Sequence, residues 1–296
     1  MSRFTFTVNA EDSGQPVKNL VKRHFHFSSR LMTKLKYGNL ISVNNDKVPG
    51  WHKCKAGDFV SVEMPEEKSK FPPEDIPIYP VYEDDDILII NKQSGVTVHP
   101  TKGHPTGTIA NGLMMYMEKT GESFKIRFVN RLDMDTTGAL IIAKNSNAQD
   151  SLIRQMNKNI VKKTYLAVCE GVISNNLSIC LPIGRPLDGN VRRAVLHDAG
   201  QESVTHVKPV RVFTNPNATL IRIILETGRT HQIRVHLSHI GHPLLGDALY
   251  GGSSAIFNER QALHAESLSF LHPLSNESIT VHCPLPSDML SLIASL

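Results

Sequence analysis

The sequence predicts an α+β protein with a small N-terminal αβ module, a proline-rich linker and a larger second domain. Beyond residue 80, short apolar runs bounded by turn residues outnumber amphipathic helical segments. These runs do not alternate regularly with the helices, which favours a mixed sheet over a doubly wound parallel sheet. Four prolines between Glu66 and Pro80 mark a break, because proline neither propagates a helix nor serves a central strand. The predicted units are therefore residues 1–66, 67–80 and 81–296.

The composition is that of an ordinary globular protein. The 296 residues are 40% hydrophobic and 20% charged, which argues against extensive disorder and against a fibrous protein. No apolar stretch reaches the roughly 18 residues of a membrane span, and the N-terminus carries no apolar core of a signal peptide. The four cysteines are far apart, which indicates neither a zinc ribbon nor a disulfide framework. We therefore expect a cytoplasmic monomer with no membrane partner.

The excess of positive charge lies at the front of the chain. Overall, 32 Lys and Arg stand against 28 Asp and Glu, but residues 1–64 alone hold ten against five. Clustered cations displace counterions from a phosphate backbone, which gives a protein affinity for nucleic acid. Before any motif is considered, a solvated basic face explains this charge equally well.

Within the module, the segment from Ser29 to Leu40 predicts a short basic helix, which ends at Gly38. Two alternating strands follow, in the segments LISVNNDKV (40–48) and GDFVSVEMP (57–65). The S-R pair at the start of the helix, GNLISVN after it and the late GDFVSV resemble an S4-like module, which is an RNA-related unit. Asn45 stands where that module has glycine, and Asn tolerates a positive φ better than most residues do.

The S4 resemblance implies RNA contacts by three cations of the basic helix: Arg30, Lys34 and Lys36. The alternative is an ordinary αβ domain whose basic helix faces solvent.

Six apolar runs predict strands in the second domain, and three segments predict helices. The predicted strands are ILIINK (87–92), GVTVHP (95–100), GALIIAKN (138–145), YLAVCEGV (165–172), TLIRIILETG (219–228) and SLSFLHP (267–273). The predicted helices are Gly107 to Glu118, Asn147 to Lys158 and Thr230 to Ile240, the last of which Gly241 terminates.

The first polar cluster is NRLDMDTTG (130–138), directly before an apolar strand. Arg131 and Asp133 are two residues apart, so in an extended segment both side chains point to the same face. Such a pair is either a structural ion pair or part of a functional site.

The second cluster is TGRTHQIRVH (227–236), where a strand runs into a helix. Ile233, Leu237 and Ile240 share one apolar helix face, and Arg234 lies at its border. A guanidinium placed there is a candidate partner for a partly buried aspartate, because a nearby cation favours the ionised carboxylate.

Together with four further motifs, these clusters resemble the RluA-type pseudouridine synthases. NRLDMDTTGALIIAK resembles the central motif of that family, H-R-L-D-x-x-T-S-G followed by an apolar strand ending in A-K. The other matching segments, in chain order, are NKQSGVTVHP, KKTYLAVCEG, PIGR, TGRTHQIRVHL with GHPLLGDALYGG, and ALHAESLSFLHP. The resemblance implies a catalytic domain with a central mixed, mainly antiparallel sheet.

Carried over by motif, the catalytic aspartate falls on Asp133, the active-site tyrosine on Tyr165 and the basic partner of the carboxylate on Arg234. The arginine of R-L-D falls on Arg131, and Asp135 has no counterpart. The remaining residues that we expect to bind substrate are Asn130, Arg229, His231 and Lys163. The chain departs from the family pattern in two places, because Asn130 replaces the usual histidine and Gln93 the usual proline.

The resemblance implies isomerisation of uridine to pseudouridine in structured RNA, with ribosomal RNA of the large subunit favoured over transfer RNA. The base must be flipped out of its stack for the carboxylate to reach the sugar. Asp133 could attack the sugar, stabilise positive charge on it or remove a proton, and Tyr165 could stack on the uracil or assist proton transfer.

The reaction involves no redox change, so we expect no cofactor and no metal. His236, His239 and His242 do not lie in a ligand pattern with a cysteine or carboxylate nearby. Two alternatives remain open. One is a non-catalytic RNA-binding or ribosome-assembly protein that keeps the fold, and the other is a nucleoside hydrolase that uses Asp133 with Asp135.

Overall fold

The computed structural model describes residues 4–187, 192–257 and 260–296. Within these ranges it contains a four-stranded sheet with two α-helices near the N-terminus, and a ten-stranded sheet with four α-helices beyond it. The predicted α+β class is therefore confirmed. No helix of the described residues is both long enough and apolar enough to cross a membrane.

The N-terminal module is an antiparallel sheet with two helices and its own apolar core. Its strands stand in the order β1-β4-β2-β3. The elements are β1 (Phe4–Thr7), a 3-10 turn (Ala10–Asp12), α1 (Val17–Phe25), α2 (Ser29–Tyr37), β2 (Ile41–Val43), β3 (Asp46–Lys47) and β4 (Phe59–Val62). The predicted basic helix is α2, and the Ser28 hydroxyl accepts the Leu31 N–H to cap it. Helix α1 and strand β1 were not predicted.

The segment predicted as one strand at 40–48 is a hairpin of β2 and β3. Asn44 and Asn45 lie between these strands with φ of 49° and 72°, so two asparagines make the turn without glycine. The Asn44 side chain also accepts the Phe59 N–H at 2.8 Å and donates to Asp58 at 2.9 Å. Asn44 therefore fastens the hairpin to the neighbouring strand β4.

Residues 63–79, which include most of the predicted linker, have no regular secondary structure but are fastened to the second domain. The Ile126 N–H donates to the Ser69 hydroxyl at 2.9 Å, and the Asn111 amide donates to the Pro72 carbonyl at 2.9 Å. Glu67 forms ion pairs with Lys34 of the module at 2.9 Å and with Arg127 of the second domain. The segment therefore lies along the second domain as a strap.

The central sheet of the second domain is mixed and mainly antiparallel, as the family resemblance implied. Its strands stand in the order β10-β13-β14-β9-β15-β8-β6-β5, with β16 beside β15 and β7 beside β8. Of these ladders, only β8 with β15 is parallel. The strands are β5 (Pro80–Glu83), β6 (Ile87–Lys92), β7 (Arg127–Phe128), β8 (Thr137–Ala143), β9 (Lys162–Glu170), β10 (Leu177–Cys180), β13 (Val204–Thr214), β14 (Asn217–Leu225), β15 (Leu263–Leu271) and β16 (Ser278–His282), and β11 (Ile183–Gly184) and β12 (Ala194–Val195) form a separate pair.

The three predicted helices of the second domain are present, with ends that differ from the prediction by one or two residues. They are α3 (Ile109–Thr120), α4 (Ser146–Asn157) and α5 (Gln232–His239), and the unpredicted α6 (Ser287–Ser295) follows near the C-terminus. Ile233 and Leu237 of α5 are buried in the main core, as their spacing predicted.

The prediction of a strand at 95–100 was wrong. Gly95 has φ of +76° and ends β6 in a turn, after which only Thr97 makes an isolated bridge, to Thr108. An apolar alternation of four residues cannot distinguish a strand from a packed loop when the backbone leaves the sheet at a glycine.

Gly138 allows β8 and β15 to lie unusually close together. Its φ is +107°, and a Cβ atom at this position would lie 2.2 Å from the Ala265 carbonyl oxygen. Because real Cβ atoms do not approach an oxygen so closely, only glycine fits the parallel pairing of Gly138 with Ala265. The chain enters β8 directly from the loop that carries Asp133.

Candidate active site

A cleft lies where the loop before β8 meets the start of β9 and the N-terminal end of α5. The residues that line it are Arg131, Leu132, Asp133, Thr136, Tyr165, Leu225, Arg229, His231, Gln232, Ile233, Arg234 and Leu263. Two clusters about a hundred residues apart in the sequence therefore share one surface.

The centre of the cleft is a row of two carboxylates joined by one guanidinium. Arg234 Nη1 donates to Asp133 Oδ2 at 3.2 Å. On its other side, the same guanidinium donates from Nε and Nη2 to the two oxygens of Asp247, at 2.7 and 2.8 Å. The Asp133 side chain is 19% exposed and that of Asp247 is fully buried. Asp133 is therefore the carboxylate of this row that substrate can reach, and Asp247 fixes the guanidinium behind it.

Asp247 has no role in the sequence interpretation, although it lies in the matched segment GHPLLGDALYGG. The signal that was available is a carboxylate between the apolar residues Leu245 and Ala248, since a lone buried charge requires a partner. Asp247 also accepts the backbone N–H of Tyr250 at 3.3 Å. The ring of Tyr250 stacks on the Arg234 guanidinium at 5.0 Å, so a second unpredicted residue supports the same cation.

His231 stands at the edge of the row. Its Nε2 lies 3.9 Å from Asp133 Oδ2, and its Nδ1 is 2.8 Å from the Tyr250 hydroxyl. Burial lowers the pKa of His231, and Arg234 and Arg193 lower it further against the opposing effect of Asp133. The imidazole is therefore neutral near pH 7, and Arg234 is the cation that Asp133 faces at hydrogen-bonding distance.

Tyr165 forms a wall of the cleft from strand β9. Its ring is buried, and its hydroxyl makes no hydrogen bond to any described residue. Burial raises the pKa of the phenol, and the negative charge of Asp133 raises it further. Tyr165 is therefore protonated throughout the physiological range and presents an uncommitted hydroxyl near the carboxylate.

Two buried basic side chains hold the backbone of the loop that carries Asp133, and the sequence interpretation assigned neither. Lys92 Nζ donates to the carbonyls of Met134 at 2.6 Å and Thr136 at 3.1 Å. Burial lowers the pKa of Lys92 to about 7, against the opposing effect of nearby carboxylates. Arg260 donates to the Asp135 carbonyl at 3.1 Å and is itself held by Asp288. The position of Asp133 is thus set from both sides of its loop.

The remaining predicted substrate contacts of the loop differ in their surroundings. Arg131 is exposed at the cleft mouth. Asn130 instead turns to β8, because its amide donates to the Ala139 carbonyl at 3.1 Å and accepts the Ile141 N–H at 2.8 Å. Both polar ends of Asn130 therefore fasten the loop to the sheet, and its predicted contact with substrate stays a prediction.

Arg229 and Lys163 lie at the rim of the cleft. Arg229 is exposed, and its Nε donates to the Glu202 carbonyl at 3.1 Å. Lys163 Nζ donates to the Thr227 carbonyl at 3.3 Å. Burial lowers the pKa of Lys163, and the neighbouring Arg229 lowers it further. The structure thus brings Lys163 beside the turn that carries Arg229, a residue of the cleft lining.

The three cations predicted to bind RNA from α2 are not equivalent. Lys34 forms its ion pair with Glu67 of the strap, and the Lys36 ammonium lies over the Tyr37 ring at 5.7 Å. Arg30 is exposed beside Glu67 and Asp150. Because two of these cations lie close to carboxylates, the RNA-binding role of this helix face stays a prediction.

One group of potential metal ligands occurs among the described residues, namely Asp84, Asp86 and His272. His272 Nδ1 accepts the backbone N–H groups of Leu274 and Ser275, so Nε2 carries a proton and donates to Asp84 at 3.0 Å. A protonated ring nitrogen is not a metal ligand, and the group is a hydrogen-bond network between two loops.

The histidines 236, 239 and 242 do not converge either. His236 is buried, with one ring nitrogen 2.9 Å from the Thr205 hydroxyl and the other 2.9 Å from the Leu181 carbonyl. His242 faces the Glu170 carbonyl at 2.8 Å, and His239 is exposed. These contacts are those of structural histidines.

Comparison with known proteins assigns this chain to a class of RNA-modifying isomerases. The profile of the RNA pseudouridylate synthase family matches residues 86–239, which include Asp133, Tyr165 and Arg234. The chain belongs to the RNA pseudouridine synthase family, and its resemblance to the RluA-type members is confirmed.

Relatives match over most of the chain. An uncharacterized RNA pseudouridine synthase of Bacillus subtilis, YjbO, is 42% identical over 270 residues, which are 90% of this chain and 94% of the relative. Ribosomal large subunit pseudouridine synthase D of Escherichia coli O157:H7 is 36% identical over 313 aligned residues, covering 98% and 93%. The structure of human RNA pseudouridylate synthase domain containing 1 superposes with a TM-score of 0.58 at 28% identity, covering 73% of this chain and 86% of the human one. The S4-like identity of the module stays a prediction.

Proposed function

We propose that this enzyme isomerises one or more uridines of large-subunit ribosomal RNA to pseudouridine, with Asp133 as the catalytic residue. One observation carries the proposal. A partly exposed carboxylate is hydrogen-bonded to a guanidinium that a second, buried carboxylate holds in place. That arrangement orients the Asp133 carboxylate toward the cleft through a charge-assisted hydrogen bond, as a group that acts on a sugar carbon requires.

In the proposed reaction the bond from the ribose C1′ to N1 of uracil breaks, the freed base turns, and a bond from C1′ to C5 forms. Asp133 either attacks C1′, stabilises its positive charge or removes a proton from the sugar. All three routes require a carboxylate held near C1′, and Arg234 holds Asp133 by the hydrogen bond of 3.2 Å. The C5 proton leaves and a proton is returned at N1, so atoms and charge balance without an external oxidant or reductant.

Tyr165 and Arg131 have different proposed roles. Tyr165 offers a buried ring on which the everted uracil stacks, and a protonated hydroxyl that assists proton transfer at C5. Arg131 is exposed at the mouth, where it clasps the adjacent phosphate or fills the space that the base vacates. Flipping costs on the order of a few kcal/mol, and contacts of this kind recover part of it.

The choice of substrate is supported by the names of relatives such as ribosomal large subunit pseudouridine synthase D. With such a substrate, we propose that the enzyme acts in the cytoplasm, as a monomer and without a cofactor. Mapping pseudouridines in total RNA from cells with and without the gene tests the substrate. Loss of a site from transfer RNA, with ribosomal RNA unchanged, contradicts the assignment.

The test of the catalytic residue is Asp133→Asn. We expect this variant to form no pseudouridine while it still binds RNA, because the amide keeps the shape of the carboxylate but not its charge. The matched control is Asp135→Asn, two residues away in the same loop, which we expect to retain turnover. Normal turnover by Asp133→Asn refutes the assignment, and loss of activity only in the Asp135 variant points to a different carboxylate. If the wild-type protein binds RNA without modifying it, the protein is the non-catalytic alternative.

A further inference from the structure

A groove of about 940 Å³ lies between the N-terminal module and the second domain, apart from the catalytic cleft. The module contributes the end of α1 and the loop into α2, and the second domain contributes α4 and the turn after β15. Its basic lining residues are Lys22, His24, His26, Arg154 and Lys158. No aspartate or glutamate is among the described residues that line it.

The cations of this groove have no carboxylate partner among the described residues. Lys22, Arg154 and Lys158 are exposed, and the polar contact of the Lys22 ammonium is to the Ser29 hydroxyl at 3.4 Å. His26 is a further exposed basic group. His24 stacks on Phe6, and burial lowers its pKa, so it contributes a flat polar ring rather than a charge. Three unpaired cations from two units of the fold therefore face one groove.

The cavity around the strap shows the contrast. It has a volume of about 310 Å³ and is lined by Glu66, Glu67, Asp85 and Glu122 together with basic residues. There the cations form ion pairs with these carboxylates, such as Lys144 with Glu122 at 2.8 Å. Unpaired positive charge is thus a property of the first groove and not of every cavity between the two units.

The floor of the groove is firmly attached to the central sheet. The Gln155 side chain of α4 donates to the Leu271 carbonyl at 2.8 Å and accepts the Leu271 N–H at 2.9 Å. Arg154 lies on this anchored helix and Lys158 is its C-cap, so the backbone that carries both cations is held against β15.

A path of basic residues leads from the groove to the catalytic cleft. The chain runs from Lys158, at the end of α4, directly into β9, where Lys162 and Lys163 are the first residues. Lys163 and Tyr165 lie on the same face of this strand because they are two residues apart. Lys163 in turn contacts the turn that carries Arg229 at the cleft rim.

We propose that this groove binds the sugar-phosphate backbone of the substrate RNA beside the everted uridine, through Lys22, Arg154 and Lys158. The proposal rests on the proposed function and extends it to a second contact surface. Unpaired cations release counterions when they meet phosphates, whereas paired cations such as Lys34 first have to leave their carboxylate. The groove therefore differs from the face of α2 that the sequence predicted. An anionic protein surface is the competing occupant.

The test compares two double variants with equal loss of charge. Arg154→Gln with Lys158→Gln removes two groove cations, and both side chains are exposed, so the fold tolerates the change. Lys53→Gln with Lys55→Gln removes two exposed cations of the module that do not line the groove and form no ion pair among the described residues. Binding of each variant to a fluorescent RNA hairpin is measured over a series of salt concentrations. Turnover on deproteinised large-subunit ribosomal RNA is measured with RNA in excess.

We expect the groove variant to lose about 1.5 from the slope of log affinity against log salt, and about tenfold or more in affinity at low salt. The control variant keeps the wild-type slope and the wild-type rate, whereas the groove variant needs a higher RNA concentration to reach half of its maximal rate.

An unchanged slope in the groove variant overturns the proposal and leaves the groove as a surface for a protein partner. Equal losses in both variants also overturn it, because net charge alone then explains the effect. Failure of the proposed function gives a different result, namely wild-type protein that binds the hairpin but forms no pseudouridine.

Discussion

Replacing Asp247 by Asn tests the view that this buried carboxylate positions the catalytic one. The substitution keeps the size of the side chain but places an amide N–H group against the Nε or Nη2 of Arg234, both of which are donors. One of two short hydrogen bonds is lost and a repulsive contact replaces it. The guanidinium is then no longer locked with Nη1 toward Asp133.

The magnitude follows from the burial of the pair. Breaking a buried ion pair by removing one partner costs about 3–5 kcal/mol, because the other charge stays uncompensated. The single hydrogen bond from Arg234 to Asp133 is worth about 1.5–3 kcal/mol as a bond between charged groups. Losing it in the transition state slows the reaction about 10- to 150-fold. We therefore expect a lower free energy of unfolding and a lower kcat, with little change in affinity for RNA.

The assays are urea denaturation and single-turnover formation of pseudouridine at saturating enzyme. The control is Glu266→Gln, since Glu266 binds Arg222 with the same two-bond geometry at 2.9 and 3.0 Å, but on a largely exposed face. Exposed pairs are worth at most about 1 kcal/mol, so we expect this variant to unfold near the wild-type urea midpoint. We also expect it to form pseudouridine at the wild-type rate. If Asp247→Asn behaves like the control, Asp247 is not the residue that holds Arg234.

Three further predictions concern the cleft and its support. Tyr165→Phe changes the free energy of unfolding by less than about 1 kcal/mol because the hydroxyl has no hydrogen-bond partner to lose. It slows product formation about 100-fold, which rapid-quench assays measure. A wild-type rate shows that only the ring of Tyr165 is needed. Lys92→Met leaves loop carbonyls without a donor and costs about 3 kcal/mol in urea denaturation, and an unchanged midpoint argues against the anchoring role. Burial lowers the pKa of His236 and His264 below 6.5, so below that pH the unfolded state binds protons that the native state does not. Stability is therefore complete above pH 6.5 and falls as the pH drops below it, and His264→Gln should flatten this dependence in calorimetric scans across that pH.

The sequence motifs predicted the contact between Asp133 and Arg234 because each residue has a recognisable position relative to a predicted strand or helix. Arg234 follows a strand and borders the buried stripe of a helix, and Asp133 precedes an apolar strand. The family resemblance then supplied the long-range pairing that local pattern cannot give. The structure places the two side chains at 3.2 Å, and the role of each stays a prediction until the variants are measured.

The residues that hold this pair could not be recognised in the same way. Asp247 contacts Arg234 from the segment after α5, Lys92 contacts carbonyls more than 40 residues along the chain, and neither position has a periodic signal. Strand β13 was missed for a related reason. It places Lys208 and Arg211 on an exposed face, and only alternate positions such as Val207 contribute to the core. A largely exposed strand of this kind is stabilised by its partners in the sheet more than by its own composition.

The packing at Gly138, outside the cleft, also affects the position of Asp133. The catalytic loop ends where β8 lies against the Ala265 backbone with no room for a methyl group. An alanine there would have to push two core strands apart, and the displacement would pass to the preceding residues, including the aspartate five positions upstream. The position of the Asp133 carboxylate therefore depends partly on the absence of a Cβ atom at residue 138.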